Sequence, residues 1–185
     1  MPKRSEAHLE SRREQILDGA RRAFSRYGYE GATVVKLEQE IGLSRGAIFN
    51  YYPSKYELFF ALASTQQAEA LGIWKQQGFE ALLRVIAEEN PDLLGVYLEH
   101  ARHLRTDPAL RKRWKERTPD EDASAREHLL ALQASGEVRD DVTPDAIGAF
   151  LGLLVDGVAL QTSAGFPVDL DSALGLIRDA LAPRK

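Results

Sequence analysis

Hydroxyl and basic side chains stand at three predicted helix starts between positions 33 and 55. Thr33 precedes residues 34–41, Ser44 precedes residues 45–51, and Lys55 begins a third segment. Ser and Thr are favoured N-caps, and the free amide groups at a helix N-terminus attract phosphate. Because the three helix starts would lie along one face of a duplex, the pattern favours contact with a nucleic-acid backbone.

A sharp turn joins the first two of these predicted helices. The turn is Gly42-Leu43-Ser44, and its glycine permits the abrupt change of direction that a helix-turn-helix needs. Leu37 and Ile48 lie on the apolar sides of the two helices and are expected to close a small core behind the turn. The sequence therefore predicts a helix-turn-helix that binds DNA.

The region from about residue 10 to residue 62 resembles the TetR family of bacterial transcription regulators. Three stretches carry the resemblance: GYEGATV at 28–34, IGLSRGAIFNYY at 41–52 and PSKYEL at 53–58. The resemblance implies an all-α fold, with an N-terminal three-helix DNA-binding domain followed by a helical ligand-binding and dimerisation domain. It also implies a repressor that binds a palindromic operator as a homodimer and is released by a small-molecule effector.

The same resemblance assigns roles to single residues. It implies that Ser44, Arg45, Gly46 and Asn50 face the major groove of double-stranded DNA, and that Thr33, Tyr51 and Lys55 hold the DNA backbone. Phe49 departs from the family, which usually has tyrosine there, so Phe49 is expected to contact a thymine methyl group or to pack internally. Asn50 can pair with adenine through two hydrogen bonds.

Four polar residues of the second half are predicted to bind the effector: Glu99, His103, Arg126 and Asp156. Glu99 and His103 share a helix face, a spacing that suits a metal ion, an acidic molecule or an ordinary surface ion pair. An unpaired buried carboxylate is costly, so Asp156 needs a cation, Arg126 or a place near the dimer axis. Residues 99–108 resemble the aconitase-repressor subgroup, which implies an organic acid, with or without a divalent metal, and no required cofactor.

Two other classes of function stay open at this point. A metal-dependent hydrolytic enzyme could combine His100 and His103, the one local pair among four histidines, with Glu99 and Asp156. No serine-hydrolase elbow, phosphate-binding loop or zinc-protease motif accompanies them. A helical interaction protein that does not bind DNA is the other alternative, and the intact turn argues against it.

The elements that must position these residues are predicted to be helices throughout. The predicted helices cover residues 10–26, 34–41, 45–51, 55–76, 79–89, 91–104, 109–117, 120–134, 144–164 and 169–182. No segment shows the two-residue alternation of β-strands. We expect a DNA-binding domain over residues 1–54 and an effector-binding and dimerisation domain over residues 55–185, with the helix at 55–76 connecting the two.

The segment at 147–160 is apolar nearly all round, so both of its sides must be covered. One side can pack on its own subunit and the other on a partner, and Gly148 and Gly152 leave room for close helix approach. Together with Leu153 and the helix at 120–134, they are predicted to lie at the four-helix dimer interface that the resemblance implies. A homodimer also suits a palindromic operator.

Composition excludes several other classes. The chain has 185 residues, 44% hydrophobic and 28% charged, and no cysteine, which excludes wholesale disorder and a disulfide framework. Its net charge is −4, but residues 1–60 carry 10 Lys and Arg against 8 Asp and Glu, while residues 61–185 carry 14 against 20. The mildly basic first part suits an approach to DNA. No apolar leader or run of roughly 20 apolar residues occurs, so we predict a cytoplasmic protein without a membrane partner.

Overall fold

The computed structural model describes residues 6–89, 91–117 and 119–184. Within these residues the protein is all-α, as predicted, and contains no strand. The helices are α1 (Glu6–Gly31), α2 (Val34–Ile41), α3 (Arg45–Phe49), α4 (Lys55–Gln77), α5 (Phe79–Glu88), α6 (Pro91–Thr106), α7 (Pro108–Arg117), α8 (Pro119–Ala134), α9 (Pro144–Ser163) and α10 (Leu170–Leu181). Every predicted helix is present; α2 has the predicted bounds, and each of the others has at least one end shifted by one to five residues.

Short-range capping explains where the first helices begin. The hydroxyl of Thr33 accepts a hydrogen bond from the Lys36 amide at 3.4 Å, and the hydroxyl of Ser54 accepts one from the Glu57 amide at 3.1 Å. Gly42 ends α2 with a φ of 73°, a left-handed conformation that glycine adopts without strain. These local interactions set where α2 begins and ends and where α4 begins.

Helix α1 differs from the prediction at both ends. It begins at Glu6 and reaches Gly31, but Gly28 interrupts it with a φ of 66° and a ψ of 170°. Gly28 was predicted to stop the helix, and it does end the regular part. A last turn then continues beyond it, closed by a hydrogen bond of 3.0 Å from the Ala32 amide to the Gly28 carbonyl.

The first hydrophobic core joins α1 to α4. Its fully buried members include Ile16, Phe24, Leu37, Ile48 and Phe59. Leu37 and Ile48 were predicted to lie in this core, and both are completely shielded from solvent. The two short helices therefore depend on α1 and α4 for most of their apolar burial.

A close helix crossing in this core requires glycine at position 19. A Cβ atom there would lie 2.5 Å from the Ile41 Cα atom and 2.9 Å from the Glu40 carbonyl oxygen. Both of these are backbone atoms, which cannot move without displacing α2. This constraint cannot be recognised from residue types, because Gly19 lies within the regular apolar stripe of α1.

We expect Gly19→Ala to destabilise the protein by about 1–3 kcal/mol, the usual cost of forcing extra volume into a packed core. Gly72→Ala in α4 is the matched control, because a Cβ atom there meets nothing within 4 Å. Replacing a helical glycine by alanine is normally stabilising by roughly 0.5–1 kcal/mol. Denaturant unfolding of both variants tests this, and equal stabilities for the two would contradict the close crossing.

The second half forms two further clusters that share α5 and α9. One is built on Trp74, Leu129 and Ile147, and the other on Leu83 and Leu174. Helix α4 contributes its first turns to the first core and its last turns to the second half, through Trp74. A change in the tilt of α4 therefore moves groups in both parts of the chain.

Candidate DNA-binding and effector-binding sites

The first turn of α3 is open to solvent. Ser44, Arg45, Gly46 and Asn50 are all exposed, and a Cβ atom at Gly46 would meet nothing within 4 Å. The hydroxyl of Ser44 accepts a hydrogen bond from the Ala47 amide at 3.4 Å. The side chains predicted to face the major groove are thus free to approach another surface.

A carboxylate from α2 fixes the start of α3. The Arg45 amide donates a hydrogen bond of 2.6 Å to Oε1 of Glu38. A negative charge at a helix N-terminus is favourable both as a hydrogen-bond acceptor and through the helix dipole. Glu38 therefore holds the two short helices at a defined angle, a role that the sequence analysis missed.

Phe49 and Tyr51 are only partly exposed. The Phe49 ring lies 6.0 Å from the Arg45 guanidinium carbon, a cation–π contact that can orient the arginine. Tyr51 packs against the first core, and its buried hydroxyl has no hydrogen-bond partner among the described residues. This oxygen is shielded from solvent, so the side chain must turn outward before an acceptor such as phosphate can reach its donor.

Lys55, at the start of α4, is held by the end of α1. Its ammonium group donates a hydrogen bond of 2.8 Å to the Tyr29 carbonyl and lies 4.4 Å from the centre of the Tyr29 ring. Thr33 is exposed beside the same segment. The position of the Lys55 charge is therefore set by Tyr29.

Glu99 on α6 also contacts Tyr29. Its carboxylate accepts a hydrogen bond from the Tyr29 amide and lies beside Gly28. The break at Gly28 leaves the Tyr29 amide without an acceptor in the preceding turn, so Glu99 satisfies a group that would otherwise be unpaired. Burial, together with the charges of Glu30 and Glu99, raises the pKa of the Tyr29 phenol.

His103 packs against Tyr29 and Phe59. Its ring lies 4.6 Å from that of Tyr29 and 5.9 Å from that of Phe59, edge to face in both cases. The predicted pair Glu99 and His103 thus shares one face of α6, and that face is directed at α1. Neither residue lines either of the two cavities described below.

The other two predicted effector residues, Arg126 and Asp156, do line a common cavity. This outer cavity, of about 420 Å³, lies between α4, α5, α8 and α9, with Trp74, Phe79 and Leu151 among its apolar walls. The Arg126 guanidinium donates to the Asp145 carboxylate at 2.9 Å, and the Asp156 carboxylate accepts a hydrogen bond from the Tyr97 hydroxyl. The structure therefore separates the four predicted residues into two pairs.

A second cavity, the inner cavity, also has a volume of about 420 Å³. It lies between α4, α5, α6 and α9, and His100 is its most deeply buried polar residue. Burial, followed by the charge of His103, lowers the pKa of His100 to about 4. Tyr97 lines both cavities and forms part of the wall between them.

Metal binding has no support from the protein's own side chains within the described part of the chain. No group of three or more histidine, cysteine, aspartate or glutamate residues there could hold an ion. His100 and His103 are packed among aromatic rings, and Asp156 belongs to the separate outer cavity.

Helix α9 presents an apolar face to solvent. Its length and composition would allow it to cross a membrane. Only 17% of its apolar stretch is buried within the chain. Leu153 is 72% exposed, and Phe150 and Leu160 are also exposed. Gly152 is open, whereas Gly148 lies against Leu129 of α8, with 3.6 Å between that side chain and a Cβ atom at position 148.

Tyr29, Glu38 and Tyr97 are the functional candidates that sequence reasoning missed. Tyr29 acts largely through its backbone groups, for which the side-chain type gives no signal. Glu38 and Tyr97 make contacts with residues whose proximity only the tertiary fold determines.

The helix-turn-helix with an exposed first turn of α3, beside a helical body with two cavities, defines a ligand-binding transcription regulator. The family model described as bacterial regulatory proteins, tetR family, matches residues 16–62. The HTH-type transcriptional repressor Rv1474c of Mycobacterium tuberculosis is 41% identical over 184 residues, which is 98% of each chain. The HTH-type transcriptional repressor AcnR of Corynebacterium diphtheriae is 38% identical, covering 98% of this chain and 97% of that protein.

Solved structures agree with these relatives in fold. Salmonella enterica GusR superposes with a TM-score of 0.74 at 20% identity, covering 97% of this chain and 99% of that one. A TetR-family transcriptional regulator from a Rhodococcus species superposes with a TM-score of 0.75 at 18% identity, covering 94% of this chain and 100% of that one.

The chain belongs to the TetR family of bacterial transcription regulators. The predicted family, including its aconitase-repressor subgroup, is confirmed, as is the fold class. TetR-family repressors bind operator DNA, act as dimers and respond to small-molecule effectors. The protein is accordingly a regulator, and the hydrolytic alternative is wrong.

Proposed function

We propose that this protein is a cytoplasmic, homodimeric repressor that binds a palindromic operator and is released by an organic acid. The observation that carries the proposal is the open first turn of α3, capped by Ser44 and held by Glu38. The relatives named as transcriptional repressors support the direction of regulation. Residues 1–54 would bind DNA and residues 55–185 would bind the effector and the partner, with α4 between them.

We infer that α3 enters the major groove, where Ser44, Arg45, Gly46, Phe49 and Asn50 meet base edges. Thr33, Tyr51 and Lys55 would contact the DNA backbone. The Tyr51 hydroxyl supports this division, because it has no partner among the described residues and would gain one if the side chain turned outward to phosphate. Lys55 would have to exchange its hydrogen bond with the Tyr29 carbonyl for one with phosphate, or bring phosphate to the place where Tyr29 holds it.

We expect Asn50→Ala and Lys55→Ala to weaken DNA binding in different ways. Loss of a base contact at Asn50 should relax the preference at one base pair by about 1–3 kcal/mol. Loss of a phosphate contact at Lys55 should weaken binding to all sequences and reduce the salt slope by about one unit. Binding assays on operator variants at several salt concentrations separate the two effects.

Lys75→Ala is the matched control for Lys55→Ala. Lys75 lies at the far end of the same helix, where its ammonium group contacts the Ser124 hydroxyl at 3.0 Å. Its removal should leave the salt slope unchanged. If Lys55→Ala behaves like Lys75→Ala, Lys55 does not contact the DNA backbone.

For the effector we propose an organic acid that enters the outer cavity as a complex with a divalent cation. Arg126 is the one basic side chain among the lining residues, and four carboxylates, from Glu121, Asp122, Asp145 and Asp156, accompany it. This excess of negative charge opposes a free anion, whereas a bound divalent cation offsets it. The cation would be held mainly by the acid, since the described residues supply no metal cluster of their own.

We infer that the effector acts on DNA affinity through α6. Tyr97, which lines the outer cavity, and Glu99, which holds Tyr29, are two residues apart on that helix. Tyr29 in turn positions Lys55. A ligand that favours one position of α6 would therefore shift both the end of α1 and the start of α4, and with them the separation of the two recognition helices.

We expect Glu99→Ala to reduce the coupling between effector and operator by about 0.5–2 kcal/mol, the range found for residues that link two sites. Glu99→Gln, which keeps an acceptor for the Tyr29 amide, should restore most of it. Arg102→Ala is a control on the same helix, because Arg102 forms an exposed ion pair with Glu30 at 3.9 Å, and such pairs contribute little. Operator release measured against effector concentration would refute this route if all three variants match the wild type.

A further inference from the structure

The corner between α6 and α7 carries a local excess of positive charge. Six of the fourteen Lys and Arg residues of the second part of the chain, residues 61–185, lie between positions 102 and 115, against one of its twenty Asp and Glu residues. All six basic residues are exposed to solvent. Because the rest of this part of the chain is acidic, the basic surface does not follow from its overall composition.

The apolar side of α7 fixes the direction in which these basic side chains point. Leu110 is buried, and the Trp114 ring lies 5.1 Å from that of Phe60 and 4.2 Å from that of His100. These contacts hold α7 against α4 and α6. The basic residues on the remaining sides of α7 therefore project from the surface of the protein.

One end of the basic surface lies beside the start of α4. Arg113 donates a hydrogen bond to the Glu57 carboxylate, and its guanidinium carbon lies 5.6 Å from the centre of the Tyr56 ring. Tyr56 and Glu57 are the two residues that follow Lys55. The Glu57 carboxylate alone would repel a phosphate bound at Lys55, and the charge of Arg113 offsets this repulsion.

The other end of the basic surface lies beside the end of α1. Arg102 pairs with Glu30 at 3.9 Å, and Arg105 follows one turn later on the same face of α6. The Arg111 guanidinium donates a hydrogen bond of 3.4 Å to the Arg105 carbonyl, so the two arginines are neighbours across the corner. Within the described residues neither Arg105 nor Arg111 forms an ion pair, and both charges are available to a phosphate.

The one carboxylate in this corner has a structural use. Asp107 accepts hydrogen bonds from the amides of Ala109 and Leu110, at 2.9 and 3.1 Å, and so caps α7. Its charge is directed at the helix N-terminus, where it is favourable. The corner therefore keeps a net positive charge toward solvent.

We propose that Arg105, Arg111 and Arg113 bind backbone phosphates of the DNA that flanks each operator half-site. The inference rests on the proposed function, because it requires Lys55 to lie at the DNA backbone. The positive charge of this corner complements phosphate, and the corner is continuous with the proposed DNA contacts at the start of α4. The second domain would thus add affinity that does not depend on base sequence to the affinity that the helix-turn-helix supplies.

Binding to operator duplexes of two lengths tests the proposal. The wild-type protein first selects its operator from a library of random duplexes. The short duplex ends at the outermost selected base pair, and the long duplex adds one helical turn of unrelated sequence at each end. At about 0.1 M salt we expect the wild type to bind the long duplex about tenfold more tightly, which is the gain that one further phosphate contact gives relative to about 1 M salt. The salt slope should also be steeper on the long duplex, by about one unit.

The double variant Arg105→Gln with Arg111→Gln should lose the preference for the long duplex and bind the short duplex as the wild type does. Arg105→Lys with Arg111→Lys retains both charges and should retain the preference. Arg84→Gln with Arg178→Gln is the matched control, because it removes the same charge from exposed ion pairs on α5 and α10. The absence of a length preference in the wild type, or its equal loss in the control, would overturn the proposal.

The two duplexes also distinguish this inference from the proposed function on which it rests. The short duplex reports on the helix-turn-helix alone. If the wild type binds the short duplex tightly and gains nothing from the added DNA, only the contact at the α6–α7 corner is wrong. If the wild type selects no operator at all, the proposed function fails and this inference fails with it.

Discussion

Leu153→Arg is expected to convert the proposed homodimer into monomers and to lower operator affinity by a factor of about 10²–10⁴. That factor is the usual gain when two binding modules are joined so that both engage at once. Leu153 is 72% exposed on α9, and only 17% of the apolar stretch of that helix is buried within the chain. An arginine at this position would place an unpaired charge inside a contact that otherwise buries apolar surface.

The substitution should leave the single chain folded, since arginine is a good helix former and the side chain touches solvent in the monomer. Leu176→Arg is the matched control, because Leu176 is 73% exposed on α10, a helix that is not part of the predicted interface of α8 and α9. Sedimentation velocity gives the assembly state, and an operator-binding assay gives the affinity. A dimer that survives Leu153→Arg but dissociates with Leu176→Arg would move the interface to α10.

The local parts of the fold could be predicted because they depend on near neighbours in the chain. The hydroxyls of Thr33 and Ser44 cap amides three residues later, and Gly42 supplies the left-handed turn between the helices. Such interactions are already decided within one turn of helix. The same holds for the apolar faces that form the first core, in which Leu37 and Ile48 are completely buried.

The long-range contacts could not be predicted, since residue spacing gives a shared face but not the neighbour that meets it. Glu99 and His103 do lie on one face of α6, as their spacing requires, yet this face meets Tyr29 of α1. The acceptor for the Tyr29 amide is 70 residues away in the chain. The break at Gly28 creates the need for this acceptor, and only the packing of α6 on α1 supplies it.

The same distinction applies to the predicted dimer face on α9. The sequence shows that α9 is apolar nearly all round, and this composition alone is compatible with a buried core helix. The structure shows that Ile147 and Leu151 are covered by the chain's own core whereas Leu153 is not. Of the two glycines predicted at the interface, Gly148 faces α8 and Gly152 is open. The spacing of the two glycines does not indicate which of them faces α8 and which is open.

The second large effect concerns the outer cavity, where Arg126→Ala and Asp145→Asn should act in opposite directions. Arg126 is the basic group available to an organic acid, so its loss should weaken binding by about 1.5–3 kcal/mol, the range for a hydrogen bond to a charged group. Asp145 competes with the acid for that guanidinium at 2.9 Å. Asp145→Asn removes a negative charge from the cavity and should therefore strengthen binding of the free acid.

Titration calorimetry with di- and tricarboxylic acids, each with and without Mg²⁺, measures both effects. The wild type should bind the magnesium complex more tightly than the free acid, because the cation offsets the carboxylates around Arg126. Asp145→Asn should reduce this difference, since it removes one of the four charges that the cation offsets. A response to Mg²⁺ that is unchanged in Asp145→Asn would show that the cation does not act at this cavity.

Arg84 and Asp171 provide a matched control for this pair. They form an exposed ion pair at 2.7 Å, similar in exposure to that of Arg126 and Asp145, and neither residue lines the outer or the inner cavity. Arg84→Ala and Asp171→Asn change the net charge by the same amounts as the two test variants, so they reveal any general electrostatic effect of the protein on the acid. If Arg84→Ala weakens binding as much as Arg126→Ala does, the acid responds to the overall charge and the outer cavity is not its site. If only the Arg126 and Asp145 variants respond, and in opposite directions, the competition between Asp145 and the ligand for one guanidinium sets the affinity.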